Sequence, residues 1–243
     1  MADLTTWLPY LKPRPNARIR LFCFPQGCGS ASLFAHWPLL LPDWLDVCAV
    51  QLPGRENRMK EDPIDRMDLL VTAIHSALEP LLDKPFALFG HSMGGSIAYE
   101  WLKRMKNKEK LVHFFPSASP PPHIPDDEQT HKMSNEELVQ HAKESGGFAP
   151  ELLDFPELLE MYLPILKADG AITETYRPVD KPELTCPITA FAGDQDEIVP
   201  AIEVREWDRY TKKQFTLHTY NGGHFFLPAR KNEITAVLTQ VLL

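Results

Sequence analysis

A serine flanked by glycines is the first feature of the chain that could perform chemistry. Gly90, Ser92 and Gly94 form a G-x-S-x-G motif, with His91 and Met93 at its variable positions. The motif follows a short apolar run and opens an amphipathic one, which predicts a strand, a tight turn and a helix. Such a turn, called a nucleophile elbow, raises the serine hydroxyl above the end of a sheet. We therefore predict that Ser92 is a nucleophile.

A serine nucleophile needs a base, and the base needs a third group that orients it. In hydrolases with this elbow the chain order is serine, acid, histidine. Among the nine histidines, His224 alone combines a late position, a loop after a predicted strand and flanking glycines, so we predict that it is the base. His91 lies inside the elbow, and we expect its side chain to point away from the base. Asp194 and Asp196 both precede it in a loop. Asp194 suits a turn, whereas Asp196 lies further out, and by analogy with the acid loops of such hydrolases we favour Asp196.

Backbone amides are expected to stabilise the negative charge that forms on the attacked carbonyl oxygen. One donor is the amide of Met93, which follows the nucleophile. A second is expected in the glycine-rich loop after the first predicted strand, from either Gln26 or Gly27. Cys28 in the same loop is a conceivable second nucleophile, but no histidine partner for it is visible in the sequence.

The elements that must position these residues alternate between strands and helices. Most of the predicted strands are continuously apolar, as expected for a parallel sheet that is buried on both faces. Helical spacing between them predicts helices over 67–82, 92–105 and 231–243. This alternation indicates a doubly wound α/β sheet. The predicted strands are Ile19–Pro25, Leu45–Pro53, Pro85–Gly90, Leu111–Ser119, Pro187–Gly193 and Gln214–Tyr220.

One segment, residues 120–176, interrupts the alternation with helical patterns and no convincing strand. Ser134 and Glu137 have the spacing of a capping box, which predicts a helix start. A second apolar helical run follows, and we expect Pro156 and Pro164 to interrupt it. We interpret 1–243 as one domain with a helical insertion at 120–176 that covers the strand ends, where open α/β sheets bind ligands.

Composition narrows the class of protein. The chain has 243 residues and a formal net charge of −8, which argues against general nucleic-acid binding. Its four cysteines lack the spacing of a zinc site or a disulfide framework, which indicates reduced thiols in a cytosolic protein. The first residues do not resemble a signal peptide, and no apolar stretch is long enough to span a bilayer. We therefore expect a cytoplasmic protein without metal or membrane contact.

Six sequence blocks occur in an order that resembles a known family. The chain is similar to the type II thioesterases of non-ribosomal peptide and polyketide assembly lines, relatives of the medium-chain fatty-acid synthase thioesterase. The resemblance covers nearly the whole chain, although the loop Gln26–Gly29 departs from the usual family pattern. The blocks are LFCFPQGCGSASLF, QLPGRENR, FGHSMGG, LPILKADGAITETY, FAGDQDEIVP and GGHFFL.

The resemblance implies an α/β-hydrolase fold with a mobile helical lid and a triad on Ser92, Asp196 and His224. It implies hydrolysis of acyl thioesters from the phosphopantetheine arm of carrier domains, which clears stalled or mis-primed units or releases intermediates. The expected partners are acyl or peptidyl carrier domains and small acyl thioesters. No separate cofactor is expected, because phosphopantetheine belongs to the substrate. We expect a monomer.

The residues by themselves leave two other functions open. A triad with an oxyanion hole serves esters, amides and thioesters alike, so a carboxylesterase or lipase without a carrier partner would carry the same motifs. A non-catalytic acyl-binding protein could also use this fold, although the complete triad weighs against it. In the segment Gly54–Arg58, we favour a structural pairing of arginine with glutamate over a contact with substrate.

Overall fold

The protein is built on a six-stranded sheet. The computed structural model describes residues 4–106, 108–144, 156–178 and 183–243. Neighbouring strands all pair in parallel, in the order β2-β1-β3-β4-β5-β6. The strands are β1 Ile19–Phe24, β2 Leu45–Ala49, β3 Phe86–His91, β4 Leu111–Ser117, β5 Ile188–Gly193 and β6 Phe215–Tyr220. All six predicted strands are present, which confirms the parallel α/β class.

Helices connect the strands and cover both faces of the sheet. Short 3₁₀ helices lie at Ala31–Phe34, Glu56–Arg58, Glu79–Leu81, Lys108–Lys110, Thr130–Lys132 and Glu206–Tyr210. Among the described residues, no helix is long and apolar enough to cross a membrane. The α-helices are α1 Leu4–Trp7, α2 Trp37–Leu40, α3 Met67–Leu78, α4 Met93–Arg104, α5 Asn135–Glu144, α6 Pro156–Glu174, α7 Ala201–Arg205 and α8 Leu227–Leu242.

Several boundaries differ from the sequence prediction for local reasons. Strand β2 ends at Ala49, short of the predicted Pro53, because its neighbour β1 ends at Phe24. Helix α8 begins four residues before the predicted Lys231, with a proline in its first turn, where a missing amide costs nothing. Helix α3 ends at Leu78 and continues as a 3₁₀ turn that contains a proline.

The two faces of the sheet bury separate apolar cores, as the continuously apolar strands predict. In β1, Phe22 and Phe24 point to one core, and Leu21 and Cys23 point to the other. Helices α3 and α4 close the first core, and α2 and α8 close the second. Because all six strands are parallel, their carboxyl ends meet at one edge of the sheet.

The described part of the insertion, residues 120–144 and 156–176, is helical and contains no strand. The capping box is present, since Ser134 and Glu137 exchange hydrogen bonds of 2.8 and 3.2 Å with each other's backbone amides. Pro164 does not interrupt α6, contrary to our expectation. Its neighbour one turn earlier, Glu160, is exposed, so water can replace the helical bond that the proline removes.

Close packing of α4 against the sheet explains the glycines of the elbow. A side chain at Gly94 would place its Cβ 2.2 Å from the carbonyl oxygen of Phe24, at the end of β1. A Cβ at Gly90 would lie 2.3 Å from the Gly94 carbonyl oxygen, and one at Gly95 would lie 2.3 Å from Ser119 Oγ. These positions accept no side chain without a shift of the backbone or of Ser119, and the start of α4 is therefore held against β1 and β3.

We expect Gly94→Ala to lower the free energy of unfolding by about 1–3 kcal/mol, because an added methyl overpacks a site bounded by backbone. Urea unfolding followed by circular dichroism measures the change. Gly223→Ala is the control, since its Cβ would lie 3.6 Å from the nearest atom, an ordinary contact. Equal stabilities for the two variants would contradict the packing argument.

Candidate active site

Ser92 lies at a strained turn between β3 and α4. Its backbone has φ 52° and ψ −123°, a conformation that residues other than glycine rarely adopt. The amide of Ser92 donates to the Ser117 carbonyl oxygen at the end of β4, over 2.8 Å, which anchors the turn. The hydroxyl is therefore presented at the carboxyl edge of the sheet, beside the first turn of α4.

Three predicted side chains form one chain of hydrogen bonds. Ser92 Oγ lies 2.9 Å from His224 Nε2, and His224 Nδ1 lies 2.9 Å from Asp196 Oδ2. The His224 side chain is 6% exposed and that of Asp196 is fully buried. Asp196 Oδ1 also accepts the amides of Ile198 and Val199, at 3.0 and 2.8 Å. The aspartate is therefore fixed in place and can hold the Nδ1–H tautomer of the imidazole, which leaves Nε2 free to take a proton.

Asp194 has a different position from Asp196. Its Oδ1 accepts the amide of Gly222 over 3.0 Å, and the side chain is exposed. The amide of Gln195 donates to the Gly222 carbonyl oxygen, also over 3.0 Å. Asp194 thus ties the loop after β5 to the loop after β6, which carries His224. It supports the position of the histidine without touching it.

Amides near Ser92 can stabilise a developing oxyanion. Met93 follows Ser92 at the start of α4, and Gly27 lines the same cavity as Ser92 and Met93. Gln26, the other predicted donor, uses its carbonyl oxygen to accept the Gly29 amide over 2.9 Å and so closes a tight turn. The Cys28 amide in this turn donates to Asp169 Oδ2 over 2.7 Å. Of the two predicted loop donors, Gly27 lines the cavity and Gln26 does not.

Cys28 is poorly suited to be a nucleophile. Burial of the thiol raises its pKa well above the ordinary value, and the nearby carboxylate of Asp169 raises it further. The thiol therefore stays protonated at neutral pH, whereas the thiolate is the reactive form. This agrees with the sequence argument against it.

His91 is a neighbour of the base that sequence reasoning misjudged. We expect its side chain to point away from the base, yet its ring centroid lies 5.8 Å from that of His224. Its Nδ1 lies 2.9 Å from Ser117 Oγ. Burial, and the proximity of His224, lower the pKa of His91 to about 3. The His91 imidazole is therefore uncharged and packs beside the ring of His224. Its position directly before Ser92 in the motif was the sequence feature that could have indicated this contact.

The segment Gly54–Arg58 is structural, but its pairing differs from our expectation. Arg58 forms an ion pair with Glu61, and Glu56 accepts a hydrogen bond from Ser30 Oγ over 2.6 Å. Arg55 instead pairs with Asp169 of α6, 114 residues away. That partner lies in a different sequence block, so local spacing gave no indication of it.

A cavity of about 510 Å³ opens over Ser92. The insertion supplies much of its wall, including the proline run 120–122, Ile124 and Leu166. Carboxylates of Asp126, Glu197 and Glu203 also line it. In the described parts of the chain, no group of three or more His, Cys, Asp or Glu residues could hold a metal ion. The cavity thus lies beside a serine that is hydrogen-bonded to a histidine and, through it, to an aspartate.

Comparison with known proteins identifies the family. Residues 19–242 match the thioesterase domain family. The chain is 33% identical to the gramicidin S biosynthesis protein GrsT of Aneurinibacillus migulanus, over 100% of this chain and 96% of GrsT. RedJ, a thioesterase from the prodiginine biosynthetic pathway of Streptomyces coelicolor, superposes with a TM-score of 0.86 at 34% identity, over 94% of this chain and 87% of RedJ.

A second solved structure agrees with the first. The type II thioesterase BorB from the borrelidin biosynthetic cluster superposes with a TM-score of 0.85 at 33% identity, over 100% of this chain and 99% of BorB. These matches confirm the α/β-hydrolase fold and the resemblance to type II thioesterases of non-ribosomal peptide and polyketide pathways. The chain belongs to the thioesterase family and is a thioester hydrolase.

Proposed function

We propose that the protein hydrolyses acyl thioesters from the phosphopantetheine arm of carrier domains, through an acyl-enzyme on Ser92. In this role it clears stalled or mis-primed units, or releases intermediates, in non-ribosomal peptide or polyketide assembly. The observation that carries the proposal is the continuous hydrogen-bonded chain from Ser92 through His224 to Asp196, which opens into the 510 Å³ cavity.

The first half of the reaction acylates the serine. Ser92 Oγ attacks the thioester carbonyl carbon while His224 Nε2 takes the hydroxyl proton. The negative charge that forms on the carbonyl oxygen is stabilised by the amides of Met93 and Gly27. The tetrahedral intermediate collapses, the carbon–sulfur bond breaks, and the thiol leaves with the proton. Asp196 stabilises the imidazolium that exists between these steps.

The second half returns the enzyme to its starting state. A water molecule gives a proton to His224 Nε2 and attacks the acyl carbon on Ser92. The oxygen–carbon bond to the serine then breaks, and the imidazolium returns the proton to Ser92 Oγ. The products are the free acid and the free enzyme, so water is the only other reactant. A thiolate is a good leaving group, and the first half therefore depends little on proton donation by His224.

We propose that the helical insertion at 120–176 is the lid of this site. Its described residues supply apolar lining from Pro120–Pro122, Ile124 and Leu166, which suits an acyl chain. Its described residues contact the body of the protein through the hydrogen bond from Tyr176 to Glu100 of α4, among other contacts. A cover of this kind can exclude water during acylation and admit substrate when it moves.

The relatives support the assembly-line role. GrsT is a gramicidin S biosynthesis protein, and RedJ belongs to the prodiginine pathway. The chain covers nearly all of GrsT and BorB, so the likeness is not confined to a shared fragment. We propose that the partners are acyl or peptidyl carrier domains, that the protein acts as a cytoplasmic monomer, and that it needs no cofactor of its own.

Ser92→Ala should lower kcat for an acyl thioester by about 10⁶-fold, because the acyl-enzyme cannot form. The fold should be retained, since the change removes one partly exposed oxygen. Steady-state kinetics with acetyl-N-acetylcysteamine measures the loss. Ser76→Ala on the exposed face of α3 is the control and should keep wild-type activity.

Covalent labelling tests the same serine independently. A fluorophosphonate should modify wild-type protein at Ser92, as mapped by peptide mass spectrometry, and should leave Ser92→Ala unmodified. A label on Cys28 would contradict the assignment of the nucleophile.

Asp196→Asn should lower kcat by about 10³- to 10⁴-fold, because the imidazolium loses its counter-charge and His224 its tautomer. Asp194→Asn is the matched control on the same loop. It keeps an oxygen that can accept the Gly222 amide, so its kcat should fall less than about tenfold. Kinetics and melting temperatures of both variants give the comparison. The reverse order of effects would show that the acid was assigned to the wrong aspartate.

The carrier dependence is tested with one acyl group on three leaving groups. We expect kcat/KM to be highest for the acyl carrier domain, lower for the N-acetylcysteamine thioester and lowest for the matching oxygen ester. Contact with the carrier adds binding energy remote from the carbonyl, and such energy can be realised as faster turnover. Intact-mass spectrometry measures the rate for the carrier, a thiol assay measures it for the short thioester, and detection of the released acid measures it for the oxygen ester.

The other outcomes identify the other functions. Fastest hydrolysis of the oxygen ester would support a carboxylesterase in place of the carrier-directed enzyme. Equal kcat/KM for the carrier-bound and the short thioester would indicate a thioesterase that does not recognise the carrier domain. Binding of acyl groups without any hydrolysis would support an acyl-binding protein.

A further inference from the structure

The loop that contains Gly27 is a tight turn, residues 26–29, that is closed by one backbone hydrogen bond. The Gly29 amide donates to the Gln26 carbonyl oxygen over 2.9 Å, and Cys28 at the third position has φ 57°. A left-handed conformation is costly for a residue with a side chain, so the turn needs support from outside. That support is the 2.7 Å hydrogen bond from the Cys28 amide to Asp169 Oδ2.

Asp169 reaches this turn from the insertion. It belongs to α6 and is 3% exposed, and the same Oδ2 that accepts the Cys28 amide also pairs with Arg55 Nη2. Arg55 is itself 4% exposed. A buried carboxylate is costly unless it is paired and hydrogen-bonded, and here both conditions are met. The Cys28 amide thus donates to a carboxylate that forms an ion pair with Arg55, and a charge-assisted bond of this kind is stronger than a neutral one.

Arg55 is held in turn by the loop after β2. Its Nη1 donates to the Pro53 carbonyl oxygen over 3.0 Å, and its own carbonyl oxygen accepts Gln51 Nε2 over 3.1 Å. Gln51 Oε1 accepts the amide of Ala31, just beyond the turn, over 3.0 Å. The turn 26–29, the loop 51–55 and α6 are thus joined in one buried network, with Asp169 as the link from the insertion.

The same residues lie beside the reacting atoms. Gly27, Asp169, Ser92 and Met93 all line the 510 Å³ cavity. A Cβ on Gly27 would lie 3.8 Å from the Asp169 Cβ, so the helix packs directly on the peptide that precedes Cys28. Because Asp169 binds the Cys28 amide, that amide is not available to an oxyanion, and the adjacent Gly27 amide remains for this purpose.

We propose that Asp169 is a positioning residue for hydrolysis. Held by Arg55, it fixes the turn 26–29 so that the Gly27 amide is preorganised toward the carbonyl oxygen of a substrate on Ser92. The proposal rests on the proposed function, since it requires a tetrahedral intermediate at Ser92. It adds that the oxyanion hole is complete only while α6 of the insertion is seated against the turn.

A residue of this kind should act on the transition state and not on substrate binding. Donors that are preorganised toward a developing charge contribute through their exact placement, and a displacement of about 1 Å can cost about 10²-fold in rate. Loss of Asp169 should therefore lower kcat and leave KM nearly unchanged. A role in shaping the acyl pocket would change KM and the affinity for substrate analogues.

The experiment compares Asp169→Ala, Asp169→Asn and Glu160→Gln. Asparagine keeps an oxygen that can accept the Cys28 amide, whereas alanine does not. Glu160→Gln removes a carboxylate from the exposed face of the same helix and is the control. For each variant, kcat and KM are measured with a short acyl thioester. Affinity is measured for an acyl trifluoromethyl ketone, which forms a tetrahedral adduct with the serine, and for the unreactive thioether of the same acyl group.

We expect Asp169→Ala to lower kcat and the affinity for the ketone by about 10²-fold each, with the affinity for the thioether unchanged. Asp169→Asn should lose less than about tenfold in both, and Glu160→Gln should match wild type. If Asp169→Ala does not fold, Asp169→Asn and Arg55→Lys test the proposal. Each should lower the affinity for the ketone more than the affinity for the thioether.

Two results would overturn the proposal. One is wild-type affinity for the ketone in the folded Asp169 variants. The other is an equal loss of affinity for ketone and thioether, which would make Asp169 a residue of the pocket wall. Failure of the serine mechanism in the proposed function would look different, because wild-type protein would then form no adduct with the ketone, or Ser92→Ala would remain active. Failure of the thioester specificity would appear as fastest hydrolysis of the oxygen ester.

Discussion

The close approach of α4 to the ends of β1 and β3 is the constraint on which the site depends. Gly90 and Gly94 leave no room for a Cβ between helix and sheet, and this contact forces the turn at Ser92 into a conformation with φ 52°. The strain is borne by the packed sheet beneath, since β3 is fully buried. A looser helix would relax the turn and lower the hydroxyl away from the edge where its partners lie.

Strand order then brings the remaining groups to the serine. The sheet order reverses around β1, whose neighbours are β2 and β3, and crevices at such points bind ligands in open α/β sheets. The turn after β1 and the elbow after β3 are consequently adjacent. On the other side of β4, the adjacent strands β5 and β6 end in the loops of Asp196 and His224, which Asp194 joins through Gly222. The loops after β1, β3 and β5 thus line one cavity, and the loop after β6 reaches it through the bond from His224 to Ser92.

The sequence predicted those parts of the site that depend on short motifs and on the order of residues along the chain. Glycine spacing revealed the elbow, and chain order with loop position selected Asp196 and His224, which the structure brings into contact. The pairing of Arg55 with Asp169 had no such signal, because it joins separate blocks and depends on how α6 docks. Pro164 was misjudged for a related reason, since solvent exposure decides whether a proline breaks a helix.

Near His224, the titratable side chains of His91 and Cys28 are uncharged, and that of Asp169 is paired with Arg55. In the proposed reaction, the change of charge therefore falls on His224. Burial keeps His91 neutral at the pH of the cell, and it keeps the Cys28 thiol protonated. Asp169 is a buried carboxylate, but Arg55 balances it. Asp196 lies 2.9 Å from His224 Nδ1, and in the proposed reaction it stabilises the imidazolium that forms when Nε2 takes a proton. A second cation beside the imidazolium would oppose the proton transfer, and the neutral His91 avoids that penalty.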